Sequence, residues 1–246
     1  MKRIFLIMVM SVLSTALSFG QKKYEMVVEK TDGTSSVFNT EEVARTYFRE
    51  RSQGDISCPD ANHPHMIDLG LPSGTKWACC NVGASAPEQY GGYYAWGEVN
   101  EKDYYNSSTY IHCDGSSETC HDLGSDIAGT QYDVAHVQWG GSWVMPSHAQ
   151  QKELLDYCTS TWTTENGING RRFTGFNGGT IFLPAAGSRW DGDLNEAGGY
   201  GFYWSSTQYL SDSDCAFSLY FASRDAYWGS FLSRGLGQSV RPVVRN

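Results

Sequence analysis

The chain has 246 residues, with 27 acidic and 18 basic side chains and a formal net charge of -9. An acidic chain without a basic run is a poor partner for nucleic acid or an anionic membrane surface, so neither is expected to bind it. The length fits one sizeable domain plus a small extension.

The first twenty residues have the pattern of a secretory signal peptide. Lys2 and Arg3 precede an apolar run from Ile4 to Leu17. The segment ends at Ser18–Gly20, which places small residues at the positions that determine cleavage. We predict residues 1–20 as the signal, cleaved before Gln21. The run is shorter than the roughly 20 residues that span a bilayer, and no later stretch is long and apolar enough. The expected location is therefore the cell surface, the periplasm or the extracellular space.

Residues 21–48 are predicted to form a β-hairpin and a short helix. Alternating residues at Tyr24–Glu29 and Ser36–Phe38 flank a turn signal at Thr31–Thr34. Thr40 is a candidate helix cap, with the helix running to about Phe48. Residues 49–65 are polar, contain Gly and Pro, and read as a linker.

Residues 66–246 are predicted to form one loop-rich α+β domain with short antiparallel strands and few helices. One amphipathic helix is visible. It is capped by Ser147, ends near Tyr157 and has Leu154, Leu155 and Cys158 on its apolar side. Strands are predicted at Thr180–Leu183, Ala216–Phe221 and Ser239–Val243.

Seven cysteines in an exported chain predict disulfide bonds. Cys113 and Cys120 flank a Gly-Ser-rich stretch and are predicted to form a local bond. Cys80 is predicted to pair with Cys158, which ends the helix expected to pack on the opening strand. The pairing of the other cysteines stays open. The sequence has no CxxC pair, and no histidine lies at ligand spacing beside two cysteines, so it does not predict a zinc site.

Seven distinct motifs follow one another along the domain: Ile67–Ala78, Asn81–Ala84, Tyr90–Glu98, Ala135–Ser147, Ile181–Gly187, Tyr203–Thr207 and Ser239–Val243. Together they resemble the Fibrobacter succinogenes major paralogous domain, a family of exported bacterial proteins. The resemblance covers about Met66 to Val243. Val144 departs from it, because the family usually has Arg there.

That family is similar to the formylglycine-generating-enzyme-like branch of the C-type lectin fold. The resemblance implies a domain whose N- and C-terminal strands pair and whose long loops between later strands bind ligands. It also assigns to packing the five tryptophans within the shared motifs, Trp77, Trp96, Trp139, Trp143 and Trp204. Oxidase members of the fold use paired cysteines near the C-terminus. Here only Cys215 lies in that region, so oxidase chemistry is not supported.

Two other chemistries have candidate residues. Asp133 with His136 suggests a general acid–base pair, although a structural histidine is the more expected reading. Asp191, Asp193 and Asn195 place oxygen side chains at alternate positions, as calcium loops do, but the distal Glu of such a loop is missing and an exposed turn is the more expected reading. No catalytic residue and no cofactor is therefore predicted, with calcium kept as an alternative.

The ligand site is predicted in the C-terminal loops, where aromatic and apolar residues follow no amphipathic period that would bury them. The predicted contact residues are Trp190, Asp191, Asp193, Tyr209, Tyr227, Phe231 and Arg234. Some proteins of this fold carry positions diversified by a retroelement, and the residues of Gly229–Ser233 fit the output of such mutagenesis. The leading hypothesis is a non-enzymatic protein that binds a glycan or a surface protein. The alternatives are an envelope-polymer hydrolase or oxidase, and a structural or fimbrial component.

Overall fold

The computed structural model describes residues 25–29, 35–39, 62–116 and 120–244. The chain divides into two compact units, Met1–Arg49 and Glu50–Asn246. In the first, β1 (Glu25–Glu29) pairs antiparallel with β2 (Ser35–Asn39), which confirms the predicted hairpin. The predicted signal peptide, the helix from Thr40 to Phe48 and most of the linker lie outside the described residues.

The second unit consists mainly of short antiparallel strands, as the sequence predicts. Its elements in chain order are β3 (Met66–Asp68), β4 (Lys76–Ala78), α1 (Val134–Trp139), β5 (Trp143–Val144), α2 (His148–Tyr157), β6 (Thr159–Glu165), β7 (Ile168–Thr174), β8 (Thr180–Pro184), β9 (Ser188–Trp190), β10 (Asp193–Asn195), β11 (Gly201–Gln208), β12 (Cys215–Phe221), β13 (Ala226–Ser233) and β14 (Val243–Val244). No helix in these described segments is long and apolar enough to cross a membrane.

The strands described in this unit form four sheets. Their strand orders are β3-β4-β14-β5, β6-β7-β8, β10-β9 and β11-β12-β13. In the first, Val243 of β14 pairs with Trp77 of β4, so strands from the two ends of the unit are neighbours. Arg241, just before β14, is fully buried and donates to the carbonyls of Cys79 and Phe182, both at 2.8 Å. The chain end is therefore fixed into the core by hydrogen bonds as well as by packing.

Helix α2 begins and ends where the sequence predicts. The Ser147 hydroxyl accepts from the Gln150 amide, and the Gln150 side chain accepts from the Ser147 amide, which completes a capping box. Leu154 is fully buried and Cys158 is the C-cap. Both belong to a core cluster with Trp77, which packs α2 against the sheet of the chain ends.

Three of the five tryptophans in the shared motifs lie in the core, while Trp139 and Trp143 are partly buried and meet edge-on. Trp77, Trp96 and Trp204 are buried to within 1% of full burial, which confirms their assignment to packing. Trp96 and Trp204 belong to a second core cluster. Their indole N–H groups donate to the carbonyls of Ser205 and Tyr94, both at 2.8 Å. Burial of these rings leaves no orphaned indole donor at either position.

The two predicted disulfides have different outcomes. Cys113 and Cys120 are bonded, as predicted. The predicted Cys80–Cys158 bond is absent, and that prediction is wrong for this structure: Cys158 is a buried free thiol. Both residues lie in one core cluster, but the Cys80 thiol is directed to the Ala84 carbonyl at 3.6 Å. The hydrophobic core, not a covalent bond, holds the end of α2.

Candidate functional site

Four aromatic side chains form a ladder across one end of the β11-β12-β13 sheet. In the strand register, Phe202 lies opposite Tyr220, and Tyr220 lies opposite Tyr227. The ring centroids are 5.3 Å apart in the first pair and 6.0 Å apart in the second. Tyr200, just before β11, adds a ring 5.9 Å from that of Tyr220. Directly opposed residues share a face of a sheet, so these four rings form one surface, which we call the tyrosine ladder.

The ladder is open to solvent at its outer end. Tyr227 is 54% exposed and Tyr200 is 37% exposed. The planes of Tyr200 and Tyr227 lie 29° and 19° from the plane of Tyr220. Rings so nearly parallel present a stepped apolar surface whose phenol hydroxyls remain available for hydrogen bonds.

A β-bulge beside the ladder creates a depression. Ser230 pairs with Ser218 and Tyr227 pairs with Tyr220, so Trp228 and Gly229 together face one residue of β12. The depression has a volume of about 520 Å³ and is lined by Tyr220, Ala226, Tyr227, Trp228, Gly229 and Ser230. A Cβ built at Gly229 meets nothing within 4 Å. The lining combines aromatic rings with small polar residues, as ligand sites commonly do.

Acidic groups border the ladder. The pKa of the Tyr220 phenol is raised first by desolvation and then by Tyr200, Glu196, Asp225 and Tyr227. Carboxylates near enough to disfavour a phenolate also disfavour an anionic ligand. The surface is therefore better suited to a neutral ligand than to a negatively charged one.

A second group of rings packs the start of α2 onto the same sheet. His148 stacks on Phe217, with centroids 3.8 Å apart and planes 4° apart, and its ring lies 4.8 Å from that of Trp228. Phe231 stacks on Tyr209 at 4.1 Å, and Tyr209 also meets Phe217 edge-on. The structure thus brings together the predicted contact residues Tyr209 and Phe231. One face of the Phe231 ring is covered by Tyr209, although the side chain remains 47% exposed.

The predicted residues around Asp191 form a separate hairpin. Trp190 of β9 pairs with Asp193 of β10, so Asp191 and Gly192 are its two-residue turn. Asp191 has φ 51°, and its carboxylate accepts from the Asn106 side-chain amide at 2.8 Å. The alternating oxygens therefore coincide with a turn and its flanking strand, the reading that the sequence left open beside calcium.

Trp190 is 62% exposed on this hairpin. Within the described segments, no ring contact joins it to the tyrosine ladder or to the stack at α2. The predicted contact residues therefore do not form one continuous group of rings: Trp190 lies on the β9–β10 hairpin, whereas Tyr227 and Phe231 lie on the three-stranded sheet.

Arg234 is not a surface contact, and that prediction is wrong. Its side chain is fully buried. It donates to the Tyr110 hydroxyl at 2.9 Å and to the Ser213 carbonyl at 2.8 Å, and its guanidinium lies 4.6 Å from the centroid of the Trp96 ring. The donors hold separate loops together inside the domain, so Arg234 cannot reach an external ligand.

The segment expected to be an aperiodic loop is strand β13. Tyr227, Gly229 and Phe231 are exposed, and Trp228 and Ser230 between them are partly buried. This is a period of two in exposure. It is not visible in the residue types, because Phe231 and Leu232 are adjacent apolar residues and Gly229 and Ser230 are adjacent small ones. The neighbouring ladder residues Tyr200, Phe202 and Tyr220 were also missed. Their only signal was spacing by two around predicted strands, and cross-strand register is not visible in one sequence.

The candidate acid–base pair has a structural arrangement. Asp133 is fully buried at the N-cap of α1. Its carboxylate accepts from the amides of Gly129 at 2.8 Å, Met145 at 3.0 Å and His136 at 3.1 Å. Desolvation raises the pKa of this carboxyl, and the amides oppose the shift. This buried carboxylate accepts from three backbone amides and so joins the start of α1 to the segments at Gly129 and Met145. That is a structural role.

No family model, curated protein or solved structure matches this chain. Inference about function therefore depends on the geometry of the surfaces described above.

Proposed function

We propose that this chain is an exported, non-enzymatic binding protein that recognises a neutral glycan on the tyrosine ladder of a C-type lectin-like domain. The observation that carries the proposal is the open depression of about 520 Å³ beside Tyr227. Its volume falls in the range of small-molecule sites, roughly 300 to 1,000 Å³. The apolar face of a sugar ring would pack on the exposed Tyr227 ring, and Ser230 would offer a hydrogen-bonding hydroxyl.

The polar character of the surface supports a glycan over an apolar ligand. Three of the four ladder rings are tyrosines, so each supplies a flat apolar face and a hydroxyl at its edge. The carboxylates of Glu196 and Asp225 raise the pKa of the Tyr220 phenol, so they lie close enough to repel a negatively charged ligand. The surface therefore favours an uncharged glycan over an acidic one. A protein ligand, the other partner expected from the sequence, is the competing outcome of the test below.

Two further observations support the fold and location that the proposal assumes. The pairing of β4 with β14 joins strands from the two ends of the domain, as the resemblance to the C-type lectin fold implies. The Cys113–Cys120 disulfide is typical of a protein that matures in an oxidising compartment.

The test is binding of the full chain to arrays of neutral glycans, acidic glycans and purified surface proteins, compared with binding of the Tyr227→Ala and Tyr157→Ala variants. Tyr157 is the matched control, because it is 41% exposed at the end of α2 and belongs to neither group of rings. We expect a neutral glycan to be retained, and Tyr227→Ala to weaken binding by about tenfold or more, as loss of an aromatic anchor does.

Melting temperatures of both variants should remain close to that of the parent chain. If Tyr227→Ala and Tyr157→Ala bind the glycan equally well, the tyrosine ladder is not the binding surface. If the chain binds a protein but no glycan, the ligand is a protein and the proposed glycan is wrong.

A further inference from the structure

A cluster of two imidazoles and one thiol lies apart from the tyrosine ladder, on residues that the sequence did not connect. His63 Nδ1 lies 3.0 Å from Cys79 Sγ, and His65 Nδ1 lies 3.6 Å from the same sulfur. The three potential ligand atoms are all within 4.8 Å of one another. The His63 and His65 rings meet edge-on, with centroids 5.2 Å apart.

The β3–β4 ladder fixes this arrangement. Met66 pairs with Ala78, so His65 and Cys79 are the next residues outward on the two chains. The Cys79 amide donates to the His65 carbonyl at 3.0 Å, which continues the pairing. The two histidines are separated by Pro64, so they approach the sulfur from adjacent positions on one chain. Backbone hydrogen bonding thus places the groups without requiring a bound ligand.

A backbone amide also fixes the position of the sulfur. The His65 amide donates a hydrogen bond to Cys79 Sγ at 3.0 Å. The sulfur is therefore held by the same chain segment that carries both imidazoles. Cys79 is 3% exposed, and the two histidines are partly exposed at the edge of the sheet. The imidazoles thus lie on the more exposed side of the cluster and the sulfur on its buried side.

We propose that His63, His65 and Cys79 form a binding site for Zn²⁺. In tetrahedral zinc coordination, Zn–S and Zn–N bonds of about 2.3 and 2.0 Å place a sulfur and a nitrogen about 3.5 Å apart. The two observed S···N distances of 3.0 and 3.6 Å are close to that requirement. Imidazole and thiolate are ligands that zinc prefers over the oxygens chosen by Ca²⁺ or Mg²⁺.

The sequence did not reveal this site, because the ligands do not follow a familiar spacing. Two come from a His-Pro-His segment and the third follows Ala78 at the end of β4. Only the pairing of β3 with β4 brings them together. The site is also independent of the proposed glycan surface, since it shares no residue with the tyrosine ladder or its depression.

The experiment uses the purified full chain, stripped with a chelator and titrated with Zn²⁺ alone, and separately with Co²⁺ as a spectroscopic probe. We expect one Zn²⁺ per chain and a sulfur-to-Co²⁺ charge-transfer absorption in the near ultraviolet. Cys79→Ser should abolish that absorption and weaken Zn²⁺ binding by roughly tenfold or more, at least as much as loss of an outer-shell partner. Cys215→Ser is the matched control, because Cys215 is a partly exposed thiol at the start of β12 outside this cluster.

His63→Ala provides a second route, because it changes a partly exposed residue and is useful even if Cys79→Ser folds poorly. It should weaken Zn²⁺ binding while leaving the Co²⁺–thiolate absorption detectable at higher metal concentration. The proposal is overturned by any of three results: no saturable Zn²⁺ binding, a thiolate band that persists in a folded Cys79→Ser variant, or unchanged affinity in His63→Ala. Failure of this site would not affect the glycan test, whose variants lie on a different surface.

Discussion

The rings of Tyr209 and Phe231 lie parallel, with 4.1 Å between centroids and 5° between planes. Tyr209 follows β11 and Phe231 belongs to β13, so the contact joins the two outer strands of a sheet whose middle strand is β12. Phe217 of β12 lies opposite Phe231 and meets Tyr209 edge-on. The three rings therefore connect all three strands at the end where α2 begins.

We expect Tyr209 and Phe231 to be energetically coupled. Aromatic pairs contribute about 0.5 to 1.5 kcal/mol beyond the area that they bury. A double-mutant cycle of Tyr209→Ala and Phe231→Ala, measured by urea unfolding, should return a coupling energy in that range. The matched cycle pairs Phe231→Ala with Leu210→Ala, since Leu210 is 76% exposed. Strict additivity in the first cycle would mean that the stacked geometry contributes no specific stability.

Arg234→Met should destabilise the domain by on the order of 3 kcal/mol, because several buried or partly buried acceptors lose a charged donor. Those acceptors include the Tyr110 hydroxyl and the carbonyls of Ser213 and His121. Arg224→Met is the control, since Arg224 is exposed and surface substitutions usually change stability by about 0.5 kcal/mol or less. Urea unfolding of both variants provides the measurement. A small effect of Arg234→Met would indicate that water replaces the lost hydrogen bonds.

Arg234 and helix α2 show why the sequence predicted some features and not others. The helix depends on local chemistry: a Ser cap, a Gln three residues later and apolar side chains on one face. These signals are close together in the chain and can be recognised there. Two of the acceptors of Arg234 lie more than one hundred residues upstream, at Tyr110 and His121. Nothing near Arg234 in the sequence distinguishes that buried role from a surface one.

In the candidate sites, too, local features could be predicted and distant contacts could not. Tyr227 and Phe231 were predicted to be exposed because they lie among small and polar residues, and both are exposed. Their partners Tyr220 and Tyr209 depend on strand register and on the bulge opposite Trp228 and Gly229. Register between strands is fixed by the whole folded domain, so the sequence identifies these aromatic residues but not their arrangement.

His148 should make the stability of the domain depend on pH. Burial lowers the pKa of its imidazole from the ordinary value of 6.5, and a backbone hydrogen bond at Trp228 only partly opposes that shift. As the pH falls through 6.5, the unfolded chain takes up the proton before the folded chain does. The stabilisation present above that pH is therefore lost on acidification.

His148→Phe keeps a ring on Phe217 and removes the titrating group, so its stability should fall less steeply below pH 6.5. Some pH dependence should persist, because burial also lowers the pKa of His112. Urea midpoints measured above and below that pH provide the comparison, with His121→Phe as an exposed control. Identical slopes for His148→Phe and the parent chain would contradict the assignment.

The cysteines should separate into classes by their chemical reactivity. Burial raises the pKa of the Cys158 thiol to about 12, and burial together with Asp212 and Asp214 raises that of Cys215 to about 12. Since the thiolate is the reactive species, both should resist iodoacetamide at neutral pH in the folded chain. Both should react once the chain is unfolded without reductant.

Cys113 and Cys120 should become alkylated only after reduction, because they are joined in a disulfide. Peptide mapping under the three conditions distinguishes these outcomes. Recovery of a peptide linking Cys80 to Cys158 would instead show that the core forms the covalent bond absent from this structure.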